Sequence, residues 1–149
     1  MKNYFADSEF TRSDTAQRLG IDNTPDENTW AKIHELRNYV LNPAREALGK
    51  PIYITSGYRS PQLNKAVGGA SNSQHVTGEA ADITTKNHAR NQQLFAILVQ
   101  MGNFDQLIWE KGGEWIHVSF KRDGGRRQML AYDGAKYYDI NNNWQTAIV

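Results

Sequence analysis

The 149-residue chain contains no cysteine. Disulfide frameworks and thiolate metal sites are therefore excluded, and any metal must be held by imidazole, carboxylate and water. Charge of one sign is missing too. The formal net charge is +1, from 17 basic and 16 acidic side chains, which gives no case for nucleic-acid binding. No apolar stretch approaches the roughly 20 residues of a membrane-spanning helix. The first fourteen residues, MKNYFADSEFTRSD, lack the apolar centre of a signal peptide, so synthesis in the cytoplasm is expected. There is no internal repeat and no low-complexity tract. What is present, 39% hydrophobic and 22% charged residues, suits one globular domain over residues 1–149.

The apolar pattern predicts helices first and short strands later. Residues 1–24 read as a polar segment, with Ser13 capping a helix that Gly20 stops. Thr24-Pro25-Asp26-Glu27 reads as a capping box with Thr24 as the cap. Behind it Trp30, Ile33, Leu36, Val40, Ala44 and Leu48 recur at helical spacing. Pro43 should kink or restart that helix, because it has no amide donor. A strand is expected over 51–55, then a turn at Ser56-Gly57-Tyr58-Arg59 and a short helix capped by Ser60. A loop follows, with His75 at its end, and then a strand carrying Asp82. Asn87 should cap a long helix ending at Gly102. Strands are expected over 104–110 and 115–120, with His117 on the face opposite Ile116 and Val118. Asp123-Gly124 signals a hairpin leading into 127–132. Tyr137, Tyr138 and Trp144 should cover an edge of the core. The class is α+β with a small, mainly antiparallel sheet and helices packed on it.

Four histidines are available, and a catalytic zinc site typically needs three protein ligands and a water. His75, Asp82 and His117 are the candidate metal ligands. Glu114, three residues before His117, is the candidate proton-transfer group. Arg59 offers fixed positive charge for an oxyanion or a substrate carboxylate. Each has a plainer reading. His75 could be an ordinary loop histidine, Asp82 a strand-end cap, and His117 a satisfied sheet histidine. Glu114 could be a solvated turn carboxylate, and Arg59 a clamp for its own loop. Ser73 could contact the cleft or only its loop. His34 and His88 have no companion at metal spacing. Lys121, Arg122, Arg126 and Arg127 flank a turn and read by default as a solvated hairpin, with binding of an anionic cell-wall polymer as the lesser reading.

Ser73-Gln74-His75-Val76-Thr77-Gly78-Glu79-Ala80-Ala81-Asp82 resembles, at every fixed position, the Ser-x-His-x-x-Gly-x-Ala-x-Asp signature of the zinc D-alanyl-D-alanine carboxypeptidase family of metallopeptidases. That family includes phage peptidoglycan L-alanyl-D-glutamate endopeptidases. Glu114-Trp115-Ile116-His117 is similar to its Glu-x-x-His, and Ser56-Gly57-Tyr58-Arg59 to its arginine-bearing turn. The likeness covers residues 51–120, the motif-bearing core. Ile116 departs from the tryptophan of several relatives, which bears on the cleft wall. The resemblance implies a Hedgehog/DD-peptidase fold and zinc (Zn2+) held by His75, Asp82 and His117. It further implies Glu114 as base, Arg59 on the substrate and Ser73 lining the cleft. The implied activity is hydrolysis of peptidoglycan stem peptides at the cell wall. The lack of a signal-peptide centre fits phage-type release, and with no coiled-coil seam or long exposed apolar edge a monomer is expected. Carboxypeptidase and endopeptidase stay open. The rival reading is a non-catalytic zinc-containing binding module, its fourth metal position filled by a side chain such as His88.

Overall fold

The computed structural model describes residues 2–149. Eight α-helices appear: α1 (Ser8–Thr11), α2 (Asp14–Leu19), α3 (Glu27–Leu36), α4 (Asn42–Leu48), α5 (Pro61–Ala66), α6 (Gln74–Thr77), α7 (His88–Met101) and α8 (Trp144–Ala147). Ser13, Ser60 and Asn87 cap α2, α5 and α7 as expected. The cap of α3 differs. Asp26, not Thr24, accepts from the Thr29 amide at 2.8 Å, so Pro25 lies outside the helix. The Thr24 amide is itself held by Asp22.

Pro43 does not break the long helix. A single π turn, Arg37–Leu41, joins α3 to α4. The Tyr39 carbonyl lies four residues before Pro43, which has no N–H to give it. It accepts from Asn103 Nδ2 at 2.9 Å instead. The π turn takes up the missing donor, and α4 starts again at Asn42 with Pro43 in its first turn.

The strands are β1 (Tyr53–Ser56), β2 (Ala80–Thr84), β3 (Gln106–Glu110), β4 (Trp115–Ser119), β5 (Gln128–Tyr132) and β6 (Tyr137–Asp139). They form one sheet in the order β1-β2-β4-β3-β5-β6. Every pair is antiparallel except β3–β5. The hairpin expected at Asp123-Gly124 is not made. Both edges of β4 are already paired, one to β2 and one to β3, so β5 crosses to the free side of β3 and runs parallel to it.

The sheet has two unlike faces because side chains alternate along each strand. Ala81, Ile83, Leu107, Trp109, Ile116 and Val118 are buried in one core with Ile33, Leu36, Val40, Leu94, Phe95 and Leu98 of the helices. Burying each large apolar side chain contributes about 1.5–3 kcal/mol. The opposite parity carries Asp82, Ile108, Glu110, Trp115 and His117. The N-terminal segment is more than a polar lead-in. Phe5 and Phe10 are fully buried in the core, and the Phe10 carbonyl accepts from the Tyr58 amide at 2.7 Å. That bond fixes the turn before Arg59. At the other end Trp144 packs against the core. Tyr137 and Tyr138, expected to cover it, form the exposed edge strand β6 instead.

Candidate metal centre and its cleft

His75 sits in a one-turn helix, α6, where a loop end was expected. Ser73 caps it, accepting from the His75 amide at 3.2 Å. Gly78 ends it at φ +81, and a Cβ there would lie 2.9 Å from the Thr29 carbonyl oxygen. Only glycine satisfies both the left-handed turn and the close approach of α3. The His75 ring is oriented by Gly57, whose carbonyl lies 2.7 Å from Nδ1. A carbonyl only accepts, so Nδ1 carries the proton and Nε2 keeps a free lone pair.

Asp82 on β2 stands directly opposite His117 on β4 in the sheet register. Asp82 Oδ1 is 3.3 Å from His75 Nε2 and 3.2 Å from His117 Nδ1. One ligand atom from each residue falls within 4.8 Å of the others. Around a tetrahedral ion with bonds of about 2.0–2.1 Å, ligand atoms stand roughly 3.3 Å apart. Both imidazoles stand at about that spacing from the Asp82 carboxylate, and two imidazoles with a carboxylate are a donor set that fits a divalent cation of the zinc type. Burial opposes ionisation of Asp82. The charges and hydrogen bonds of His75 and His117 outweigh it and hold the carboxyl well below its usual range.

The cluster opens into a cleft of about 420 Å³ lined by Arg59, Ser73, Ile108, Glu110, Arg126 and Tyr137 among others. A second hollow of about 400 Å³, lined by Arg12, Thr55 and Tyr58, shares Arg59 and Asp82 with it. Arg59 is tied to α6 through its amide, which donates to the His75 carbonyl at 3.0 Å. Its Nε is buried without a hydrogen-bond partner. Burial lowers the Arg59 pKa, and the neighbouring Asp82 raises it. Arg59 and Ser73 both line the metal cleft.

Glu114 does not. It is exposed and lines a separate hollow with Thr84, Lys86, His88 and Asn91. Glu114 precedes β4 and has helical dihedrals, φ −60 and ψ −38, so the alternation of the strand does not carry it to the face of His117. Glu114 is also the turn residue closing a 3₁₀ segment, Lys111–Gly113, and its carbonyl accepts from Thr84 Oγ1 at 3.1 Å. His88, the candidate fourth ligand of the rival reading, lines that same separate hollow.

The carboxylate that lines the metal cleft is Glu110, at the end of β3. Ile108 pairs with His117 and Glu110 with Trp115, so Glu110 shares the face of the cluster one step along. It is buried. Burial first, and the charge of Asp82 second, push its pKa from 4.5 up to about 7, against the opposing pull of His117, Trp115 and Lys111. Sequence reasoning missed it, although the signal was present. Gln106, Ile108 and Glu110 share one strand face, and counting back through the hairpin sets Ile108 against His117.

A largely buried His-Asp-His cluster in an open cleft, with a carboxylate of raised pKa on the same sheet face, is the arrangement of a metal-dependent hydrolase site. Comparison with known proteins agrees. The chain belongs to the peptidase M15 family, whose sequence model matches residues 3–119. It is also similar to the zinc D-Ala-D-Ala carboxypeptidase of Streptomyces albus G, with 52% identity over 44 residues. That match covers 29% of this chain and 17% of the relative's length.

Proposed function

We propose that this peptidase is zinc-dependent and hydrolyses peptide bonds in peptidoglycan stem peptides. In this reading His75, Asp82 and His117 hold the metal, and Glu110 is the proton-transfer group in place of Glu114. The observation that carries it is the convergence of the three donors in one cleft with a buried, high-pKa carboxylate on the same face. The Streptomyces relative supports zinc and a D-alanyl peptide as the chemical class.

Zinc, when bound, supplies a Lewis acid that polarises a carbonyl and acidifies a water to a pKa of about 7. The chain's own residues do the rest. Glu110, with a pKa of about 7, takes a proton at neutral pH and returns it to the leaving amine. The Gly57 carbonyl holds His75 in the tautomer that leaves Nε2 free. Arg59, with its unpartnered Nε, stabilises developing negative charge or holds a substrate carboxylate. Ser73 caps the ligand helix and lines the cleft. The two hollows flanking Asp82 leave room on both sides, which favours cleavage within a peptide over removal of its last residue. Among the described residues no helix is long and apolar enough to cross a membrane. The enzyme is taken to act as one monomeric catalytic domain.

The test is digestion of purified muropeptides by the zinc-loaded protein, with mass spectrometry of the fragments before and after chelation. Chelator-sensitive release of defined peptides is expected. Full zinc occupancy with no cleavage of any muropeptide would refute the proposal.

A further inference from the structure

Asp105 is a buried carboxylate outside the metal cluster, only 1% exposed. Its Oδ1 accepts from the Arg126 amide at 2.8 Å and from Arg126 Nε at 3.1 Å, and its Oδ2 from Arg126 Nη2 at 2.8 Å. Oδ2 also accepts from Gln74 Nε2 at 2.9 Å. Gln74 precedes the ligand His75, so Asp105 ties α6 to the β4–β5 connection. The connection is seated tightly. A Cβ on Gly125 would lie 2.3 Å from the Phe104 carbonyl oxygen and 2.5 Å from Asp105 Cα, so a larger residue would lift the loop off its partner.

A surface arginine ordinarily needs no buried partner, and desolvating a carboxylate to hold one is costly. Yet the Arg126 side chain is 56% exposed while Asp105 beneath it is 1% exposed. Nε and Nη2 are committed to Asp105. Nη1 takes no protein partner among the described residues, and Arg126 lines the metal cleft. What reaches the cleft is a donor edge of fixed direction. Its position also differs from that of Arg59. Arg59 follows β1 and Arg126 precedes β5, and those strands stand four spacings apart in the sheet, roughly 19 Å at about 4.8 Å each. The metal ligands on β2 and β4 lie between them.

We propose that Arg126, oriented by Asp105, binds a free carboxylate of the substrate peptide on the β5 side of the metal. Arg126 is thereby a specificity-determining residue and Asp105 a positioning residue. The inference rests on the peptidase reading above and deepens it. A stem pentapeptide, L-Ala-γ-D-Glu-L-Lys-D-Ala-D-Ala, offers two such carboxylates, one on D-Glu and one at the C-terminus.

The experiment uses the zinc-loaded full chain. Calorimetric binding at low temperature and initial cleavage rates are measured with that pentapeptide and with forms amidated at D-Glu, at the C-terminus, or at both. The wild type should bind one singly amidated form about as weakly as the doubly amidated one, which identifies the carboxylate. Arg126→Ala should weaken binding of the free-acid peptide about 10- to 100-fold and leave the doubly amidated peptide unchanged. The cleavage rates should show this as a raised KM with little change in kcat. Arg126→Lys keeps the charge but loses the fork and should recover only part of the loss. Asp105→Asn should reduce the discrimination between acid and amide, and Arg126→Ala added to it should cost little more.

Equal binding of all four peptides by the wild type overturns the inference, as does an equal loss for acid and amide in Arg126→Ala. Absence of measurable binding by any form overturns it too. Carboxylate-dependent binding without cleavage would sink the hydrolytic reading and leave Arg126 as a binding residue. Cleavage indifferent to amidation would do the reverse.

Discussion

Replacing Glu110 by Gln separates two consequences of its position. The first concerns rate. Gln keeps the shape but cannot take a proton, and general acid–base catalysis contributes about 10²–10⁴-fold, so kcat should fall by that range with zinc still bound. The wild-type rate should rise with pH as Glu110 ionises, at a pH below the value of about 7 that holds without metal, because the base works deprotonated and a bound cation favours the carboxylate. Glu110→Gln should remove the Glu110 contribution to that acid limb. The second concerns stability of the metal-free protein. Raising the pKa from 4.5 to about 7 corresponds to about 3 kcal/mol against the ionised form, an upper limit because local opening relieves part of it. The sign follows from proton binding. The folded state holds this proton more tightly than the unfolded state, so the contribution is complete below pH 4.5 and is lost as pH rises through 7. Metal-free Glu110→Gln should therefore melt several degrees above wild type at pH 8 and within a degree or two of it at pH 5. Thermal unfolding in chelator at both pH values reads this directly. Near wild-type turnover together with no pH-dependent gain in melting temperature would refute the placement of Glu110 in the cleft.

Glu114→Gln should leave kcat within a few-fold of wild type, measured beside Glu110→Gln on one substrate, since its side chain lines another hollow. His117→Ala should lose stoichiometric zinc on dialysis while keeping native far-ultraviolet circular dichroism, because the orienting bond of His75 to Gly57 remains. Zinc at about 1,000 times its Kd should stabilise the wild type by about 4 kcal/mol; an unchanged urea midpoint would count against the site. Asn91→Leu should cost roughly 2–4 kcal/mol in urea unfolding. Asn91 Oδ1 accepts from the Thr85 amide and hydroxyl, and its Nδ2 donates to the Gly113 carbonyl at 2.8 Å, all of them buried groups.

Much of the helical framework was legible because its signals are local. Ser13, Ser60 and Asn87 each cap a helix through one side chain, and Gly20, Gly49 and Gly102 end theirs in left-handed geometry. His75, Asp82 and His117 could be placed together because a short pattern holds two of them and strand pairing brings the third. What failed was non-local or miscounted. The partner of β5 depends on which edges of β4 are already occupied, and no residue near Asp123-Gly124 records that. Glu114 was chosen by its distance in sequence from His117, whereas it lies in the turn before β4 and lines another hollow, and the pleat sets Glu110 on the face of His117. Phe5 and Phe10 looked incidental in a polar segment because their pocket is built by residues far along the chain. Arg126 read as a solvated turn charge because the carboxylate that orients it lies 21 positions earlier.

The alternation of β2, β3 and β4 has an evolutionary consequence. Neighbouring residues in one strand answer to different demands: Ile83, Ile116 and Trp109 to the apolar interior, and, in the proposed reading, Asp82, His117 and Glu110 to the chemistry. Substitutions elsewhere on that second face, at cleft-lining positions such as Gln106 and Ile108, can retune what is bound with little disturbance to the first. A saturation scan scored separately for abundance and for activity should accordingly show two interleaved stripes in each of these strands, out of phase by one residue. Such an arrangement lets a chain of this size explore new substrates while its capacity to fold is inherited almost intact.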